Sequence, residues 1–236
     1  YRVALGLDLY QRQQLANSYI SYGTKTLGFS PRLGFSLRED LSLQLRYSIY
    51  RQEITLPYYL ANCNNNIGTS AFNPSPAFAA ATGGIDLSGT NGLGCYSDGE
   101  ASLPVRKELA NGKTLTSALG YTLTYNTLDN NKNPTDGLLV DFRQDFAGVG
   151  GDVSYLKSVV DAKYYTPLVS DIVGLVRVQS GMLNKIGSDL RMLDHFQMGS
   201  NLVRGFAPNG IGPRDLNPFG SRDALGGTRY WGASLE

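Results

Sequence analysis

Leu41-Ser42-Leu43-Gln44-Leu45-Arg46-Tyr47-Ser48-Ile49 alternates apolar and polar side chains without a break. A period of two belongs to an extended strand, whose successive side chains point to opposite faces. One face of this strand is therefore apolar and the other carries Ser, Gln and Arg. Val140, Phe142 and Phe146 alternate likewise with Asp141, Arg143 and Asp145, and Leu156, Val160, Ala162 and Tyr164 with Tyr155, Lys157, Asp161 and Lys163. The polar faces hold both signs of charge.

Outward from this stretch the pattern recurs at 3–9, 29–37, 115–125, 172–178 and 231–235, which makes about eight strands by this template. If the chain reverses direction at each turn, the connections at 11–18, 55–104, 148–151 and 184–225 share one edge. Those at 38–40, 129–136 and 167–170 share the other. One edge is mostly long loops and the other short turns, as in outer-membrane barrels with long extracellular loops and short periplasmic turns.

A soluble β-sandwich would alternate too. The charge distribution favours a membrane barrel: Arg46, Asp141, Arg143, Asp145, Lys157, Asp161, Lys163 and Arg177 suit a wet lumen. Tyr10, Tyr47, Tyr50, Tyr121, Tyr125, Tyr164, Tyr165, Tyr230 and Trp231, near strand ends, suit an interfacial aromatic girdle. The expected fold is all-β, a transmembrane antiparallel β-barrel.

Composition agrees with many short strands: 42% hydrophobic and 17% charged residues, with 28 Gly and 15 Tyr. No run approaches the roughly 18 apolar residues of a transmembrane helix, so a membrane would be crossed by strands. The chain starts in mid-pattern at Tyr1 and ends at Glu236 within a strand-like stretch. The expectation is a single barrel domain over 1–236, incomplete at both ends, which would not fold alone because an open sheet leaves two unpaired edges. A net charge of +1 supplies no field for nucleic acid.

Cys63 and Cys95 both lie in a Gly/Asn/Ser-rich stretch without metal-ligand spacing or a nearby His. A disulfide across one long loop is the favoured reading and would imply an oxidising compartment; two unpaired loop thiols is the other. The lone histidine, His195, sits beside Asp194 and near Ser200. Catalysis would also need an oriented nucleophile and an oxyanion hole, so a polar loop or strand-end role is expected. No dinucleotide or phosphate-loop pattern occurs, and no metal or other cofactor and no enzyme activity is expected.

The segment 184–225 contains Val203-Arg204-Gly205-Phe206, then Gly210-Ile211-Gly212-Pro213-Arg214-Asp215 and Asp223-Ala224-Leu225-Gly226-Gly227. This resembles the BamA family of outer-membrane-protein assembly factors, in which a Val-Arg-Gly-Phe/Tyr tetrapeptide marks the tip of an extracellular loop folded back into the lumen. Pro134-Thr135-Asp136-Gly137 looks like a periplasmic turn of that family. Ala147 to Asp152 and Asp161 to Tyr165 look like its alphaproteobacterial members, and Ala233-Ser234-Leu235-Glu236 like the strand after the loop. The resemblance is strong from about Thr114 onward and implies about eight strands of a sixteen-stranded barrel, without the periplasmic POTRA domains.

The resemblance also implies roles. Arg204 would pair with Glu236 on the barrel wall, since a guanidinium in a partly desolvated lumen needs acceptors. Gly205 would turn the backbone with positive φ, while Val203 and Phe206 would pack against the wall. Asp223, Gly226 and Gly227 would return the loop to the next strand. The implied function is insertion of β-barrel proteins into the bacterial outer membrane, with a secretion pore of the same superfamily (two-partner secretion or autotransporter assembly) as the alternative. Implied partners are unfolded outer-membrane clients and membrane lipid, with accessory lipoproteins and periplasmic chaperones reached through the POTRA domains.

Overall fold

The computed structural model describes residues 3–16, 20–57, 101–169, 172–187, 189–216 and 222–236. Cys63 and Cys95 lie outside them. Eight strands run in chain order: β1 (Val3–Gln14), β2 (Gly23–Ser36), β3 (Leu41–Thr55), β4 (Thr114–Asn126), β5 (Gly137–Ala147), β6 (Tyr155–Val169), β7 (Ile172–Lys185) and β8 (Arg229–Leu235). Each pairs antiparallel with its sequence neighbour in one open sheet, β1-β2-β3-β4-β5-β6-β7-β8. This meander is an arc of a transmembrane barrel wall, and the eight expected strands are all present.

Register assigns the faces, because directly opposed residues share one. Arg46 opposes Gly120, Gly120 opposes Asp145 and Asp145 opposes Lys157. Asp161 opposes Gln179, which opposes Gly232. The charged rows are thus one lumenal surface. On it Arg46 bonds Asp145 across Gly120, a crossing that any side chain at 120 would block. Arg177 grips Asp161 with Nε at 3.0 Å and Nη2 at 2.7 Å. Such pairing satisfies charges taken partly out of water.

The opposite face carries Leu5, Leu7, Leu9, Leu27, Phe29, Leu119, Val178, Trp231 and Leu235, all exposed. No second sheet covers them among the described residues, which separates a lipid-facing wall from a sandwich. Polar groups on this face bond each other: the Tyr121 hydroxyl donates to Gln144 Oε1 (3.1 Å), and Gln144 Nε2 donates to Ser158 Oγ (2.9 Å). Lipid offers no alternative partner.

Several expectations are corrected. The aromatic girdle is divided, because Tyr10, Tyr50, Tyr165 and Tyr230 fall on lumenal rows. The strands outrun the alternating stretches: β1 continues through Gln11 and Gln13, and β2 begins before Lys25. Their outward positions turn polar there, so backbone pairing persists after the apolar signal ends. The tight turn expected at 167–170 is narrower, since β6 runs through Pro167 to Val169 and β7 starts at Ile172. The connection expected to end at residue 104 reaches β4 through a helix, α1 (Leu103–Asn111), opened by a proline in its first turn and closed by Gly112 at φ 67°.

Candidate functional site

The described parts of the connection between β7 and β8 are tied together by backbone pairing. Its legs pair at Phe196–Gly227, and its inner segments at Met198–Ile211 and Arg214–Ala224. Three side chains fasten the legs to the wall. Phe196 meets Tyr230 edge-on with ring centroids 4.8 Å apart. Lys157 Nζ lies 4.5 Å from the centre of the Phe196 ring and donates to the Asp194 carbonyl at 3.0 Å. Gly181 lies beneath, where a Cβ would come within 2.9 Å of Phe196 Cζ. The aromatic pair contributes about 0.5–1.5 kcal/mol beyond its burial.

At the far end, the amides of Leu202 and Val203 both donate to the Gly199 carbonyl (3.0 and 3.2 Å), forming a tight turn. Gly205 follows at φ 90°, in the left-handed region. Between these turns Arg204 Nη2 donates to Glu236 Oε2 at 2.9 Å. Glu236 is held to the wall by two backbone hydrogen bonds with Leu175 (2.8 and 2.9 Å). Leu175 lies ten residues along β7 from Lys185, so the tip reaches about 30 Å down the wall at the usual strand rise.

Arg204 is 84% exposed and Glu236 41%. The pair borders an open cleft of about 610 Å³ shared with Arg177 and Gln179. Arg177 is engaged by Asp161, which leaves Glu236 to Arg204. So exposed an ion pair contributes about 0–1 kcal/mol. Val203 and Phe206 are likewise exposed among the described residues. The wall contact comes from Leu202, whose Cδ1 would stand 2.6 Å from a Cβ at Gly232.

Asp223 does more than lead the loop back to β8. Its buried carboxylate accepts from the Ser21 amide (3.0 Å), the Ser21 hydroxyl (2.7 Å) and the Ser102 amide (3.2 Å). Its own amide donates to Ser102 Oγ at 3.3 Å. One side chain thus joins the β1–β2 connection, the segment before α1 and the lumenal loop. Tyr22 is buried beside it, and burial, with the Asp223 and Glu108 carboxylates adding, pushes its hydroxyl up to about 12. Gly226 is at φ 68°, where a Cβ would lie 2.7 Å from Gln197 Nε2 and 2.9 Å from His195 Cβ. Gly227 exchanges hydrogen bonds with Phe196 (2.9 and 3.0 Å). His195 Nδ1 is 2.9 Å from the Leu225 carbonyl, a tie between the loop's own legs.

Sequence reasoning missed Arg191 and Glu108. Arg191 sends Nε (2.8 Å) and Nη2 (2.5 Å) to one oxygen of Glu108 on α1, with side chains 8% and 6% exposed. The same elements contribute Val105 and Met192 to a buried cluster with Ile20, Tyr22, Ile54 and Ala101. Burial pushes the nearby Asp194 carboxyl up, with Arg191 and Lys157 opposing. Among the described residues no three His, Cys, Asp or Glu side chains converge as metal ligands would.

Residues 1–236 match the Omp85 superfamily domain. The chain is 34% identical over 230 residues to outer membrane protein assembly factor BamA of Neorickettsia risticii (strain Illinois), covering 97% of this chain and 25% of that protein. It is 30% identical over 242 residues to the sorting and assembly machinery component 50 homolog of Mus musculus, covering 99% and 49%. It therefore spans half or less of the length of these relatives. BamA from Haemophilus ducreyi lacking POTRA domains 1-3 superposes with a TM-score of 0.67 at 20% identity, over 99% of this chain and 41% of that one. That last likeness is one of fold.

Proposed function

The chain belongs to the Omp85 superfamily, and we propose that it is wall and lumenal loop of a bacterial outer-membrane machine that inserts other β-barrel proteins. The observation that carries this reading is the loop pinned inside the lumen, with Arg204 on Glu236 at its tip and Asp223 at its base. A loop fastened at both ends braces the wall from within and fills part of the lumen. Client strands are then handled at the sheet and its lipid face, where unpaired strand edges capture strands and only closure satisfies backbone groups. No nucleotide and no covalent step is required; the folding of the client into the bilayer supplies the drive.

Both named relatives are assembly proteins, which supports assembly over simple conductance. The chain's partners on this reading are unfolded outer-membrane proteins and lipid, with accessory lipoproteins and periplasmic chaperones engaging POTRA domains. The open cleft beside Arg204, lined also by Arg177 and Glu236, favours a second reading, a dedicated secretion pore.

The test is depletion of the full-length protein in its host with quantitative proteomics of the outer membrane, complemented by wild type or Arg204→Ala. Broad loss of unrelated β-barrel proteins, restored by wild type alone, supports the insertase. Loss of one exported substrate with other barrels at normal levels overturns it in favour of the pore.

A further inference from the structure

On the lipid-facing side of β1, β2 and β3 the chemistry changes abruptly over two residues. Leu9, Phe29 and Ile49 form the last fully apolar row. The next row is Gln11, Leu27 and Arg51, and the one after it Gln13, Lys25 and Glu53. Lys113, just before β4, joins them with Nζ 3.7 Å from Glu53 Oε2. All lie toward the end of the sheet that carries the long connections. Gln11, Lys25, Leu27, Arg51, Glu53 and Lys113 line a cleft of about 240 Å³.

We propose that this cleft binds the phosphorylated headgroup of an anionic lipid in the leaflet at the long-loop end. Among the described residues three cations face a single carboxylate, leaving a positive surplus just where the apolar belt stops. Lys25, Arg51 and Lys113 are exposed and long enough to reach down to a phosphate. Their donors match phosphate oxygens, and Arg51 offers a bidentate fork. Below the cleft, Leu27, Phe29 and Leu9 continue as an apolar track for an acyl chain. A soluble anion would use only the upper half of this surface; a lipid uses both. The inference rests on the reading of the chain as a membrane-embedded wall with its long loops outside.

The test uses full-length protein in detergent, titrated with a phosphate-monoester lipid (phosphatidic acid) or with phosphatidylcholine, and reads bound lipid by native mass spectrometry. Phosphatidic acid is expected to be retained over phosphatidylcholine. Lys25→Gln, Arg51→Gln and Lys113→Gln are each expected to weaken its retention about fivefold, and Glu53→Gln to strengthen it. Equal retention of the two lipids, or variants indistinguishable from wild type, overturns the proposal. So does complete displacement by millimolar inorganic phosphate, which would make the cleft a simple anion site. Client assembly by the same preparations in vesicles is read separately. Wild type that assembles clients without headgroup preference overturns the lipid site alone, whereas failure of assembly with the preference intact overturns the assembly reading alone.

Discussion

The carboxylate of Asp223 holds Ser21 twice, by its amide at 3.0 Å and its hydroxyl at 2.7 Å, across 202 positions of sequence. With the Ser102 amide as a third donor, it is the knot of three connections at the long-loop end. Asp223→Ala would remove the acceptor shared by these buried and half-buried donors, at about 1–3 kcal/mol for each group left unsatisfied. Hydrogen exchange should accelerate together around residues 20–22, 101–102 and 222–225. Acceleration confined to the lumenal loop would contradict the knot.

The buried Arg191–Glu108 pair predicts a different signature. Removing one partner leaves an uncompensated charge, so Glu108→Leu or Arg191→Leu alone should weaken docking of α1 on the loop by about 3–5 kcal/mol. The double variant should recover much of that loss, because well-packed apolar groups replace a buried ion pair at little cost. Limited proteolysis between residues 101 and 113 reads the effect. A double variant as labile as the sum of the singles would refute the coupling.

Arg204 and Glu236, by contrast, border an open cleft, and their pairing is expected to matter little for stability. Arg204→Ala should shift global stability by less than about 1 kcal/mol while lowering client assembly. The exchange Arg204→Glu with Glu236→Arg should restore part of the activity. A drop in thermal stability that tracks the loss of assembly would make the residue structural instead.

Much of this fold was legible because a strand writes its two faces into alternate residues. Leu41 to Ile49 displays the lipid and lumenal sides at once. Reading failed where one face lost its contrast: the polar outward positions Gln11, Gln13 and Lys25 still lie in paired backbone. At the site, Val203-Arg204-Gly205-Phe206 and Glu236 stood out through resemblance to a family motif. Arg191 and Glu108 could not, since nothing local links residues 83 apart. For α1, the signal was available in Pro104 and Gly112, which bracket a single short amphipathic run.

Neighbouring glycines allow a controlled comparison. Gly226 has φ 68° and no room for a Cβ beside Gln197 and His195, whereas at Gly227 the nearest atom would be 3.3 Å away. Gly226→Ala should therefore cost about 1–3 kcal/mol through backbone strain and loosen the paired legs at Phe196. Gly227→Ala should be mild. Exchange rates of the Phe196 and Gly227 amides distinguish the two, and equal effects would count against the steric assignment.

At the opposite end of the sheet, the β4–β5 turn carries a pH dependence of definite sign. Asp129 accepts from the Thr135 amide (2.9 Å), the Thr135 hydroxyl (2.6 Å) and the Asp136 amide (3.2 Å). These bonds, the Thr135 hydroxyl foremost, favour the carboxylate and hold its pKa at about 2 instead of the ordinary 3.8. Because the folded group is the stronger acid, its contribution to turn order is complete above pH 3.8 and is lost as pH falls through about 2. The carboxyl-carbon NMR signal of Asp129 should therefore titrate near 2, with the Thr135 amide signal moving at the same midpoint. Asp129→Asn should loosen the turn already at neutral pH and abolish that coupled step, because the amide keeps an acceptor but not the charge. A midpoint at the ordinary value would mean that the bonds do not persist in solution.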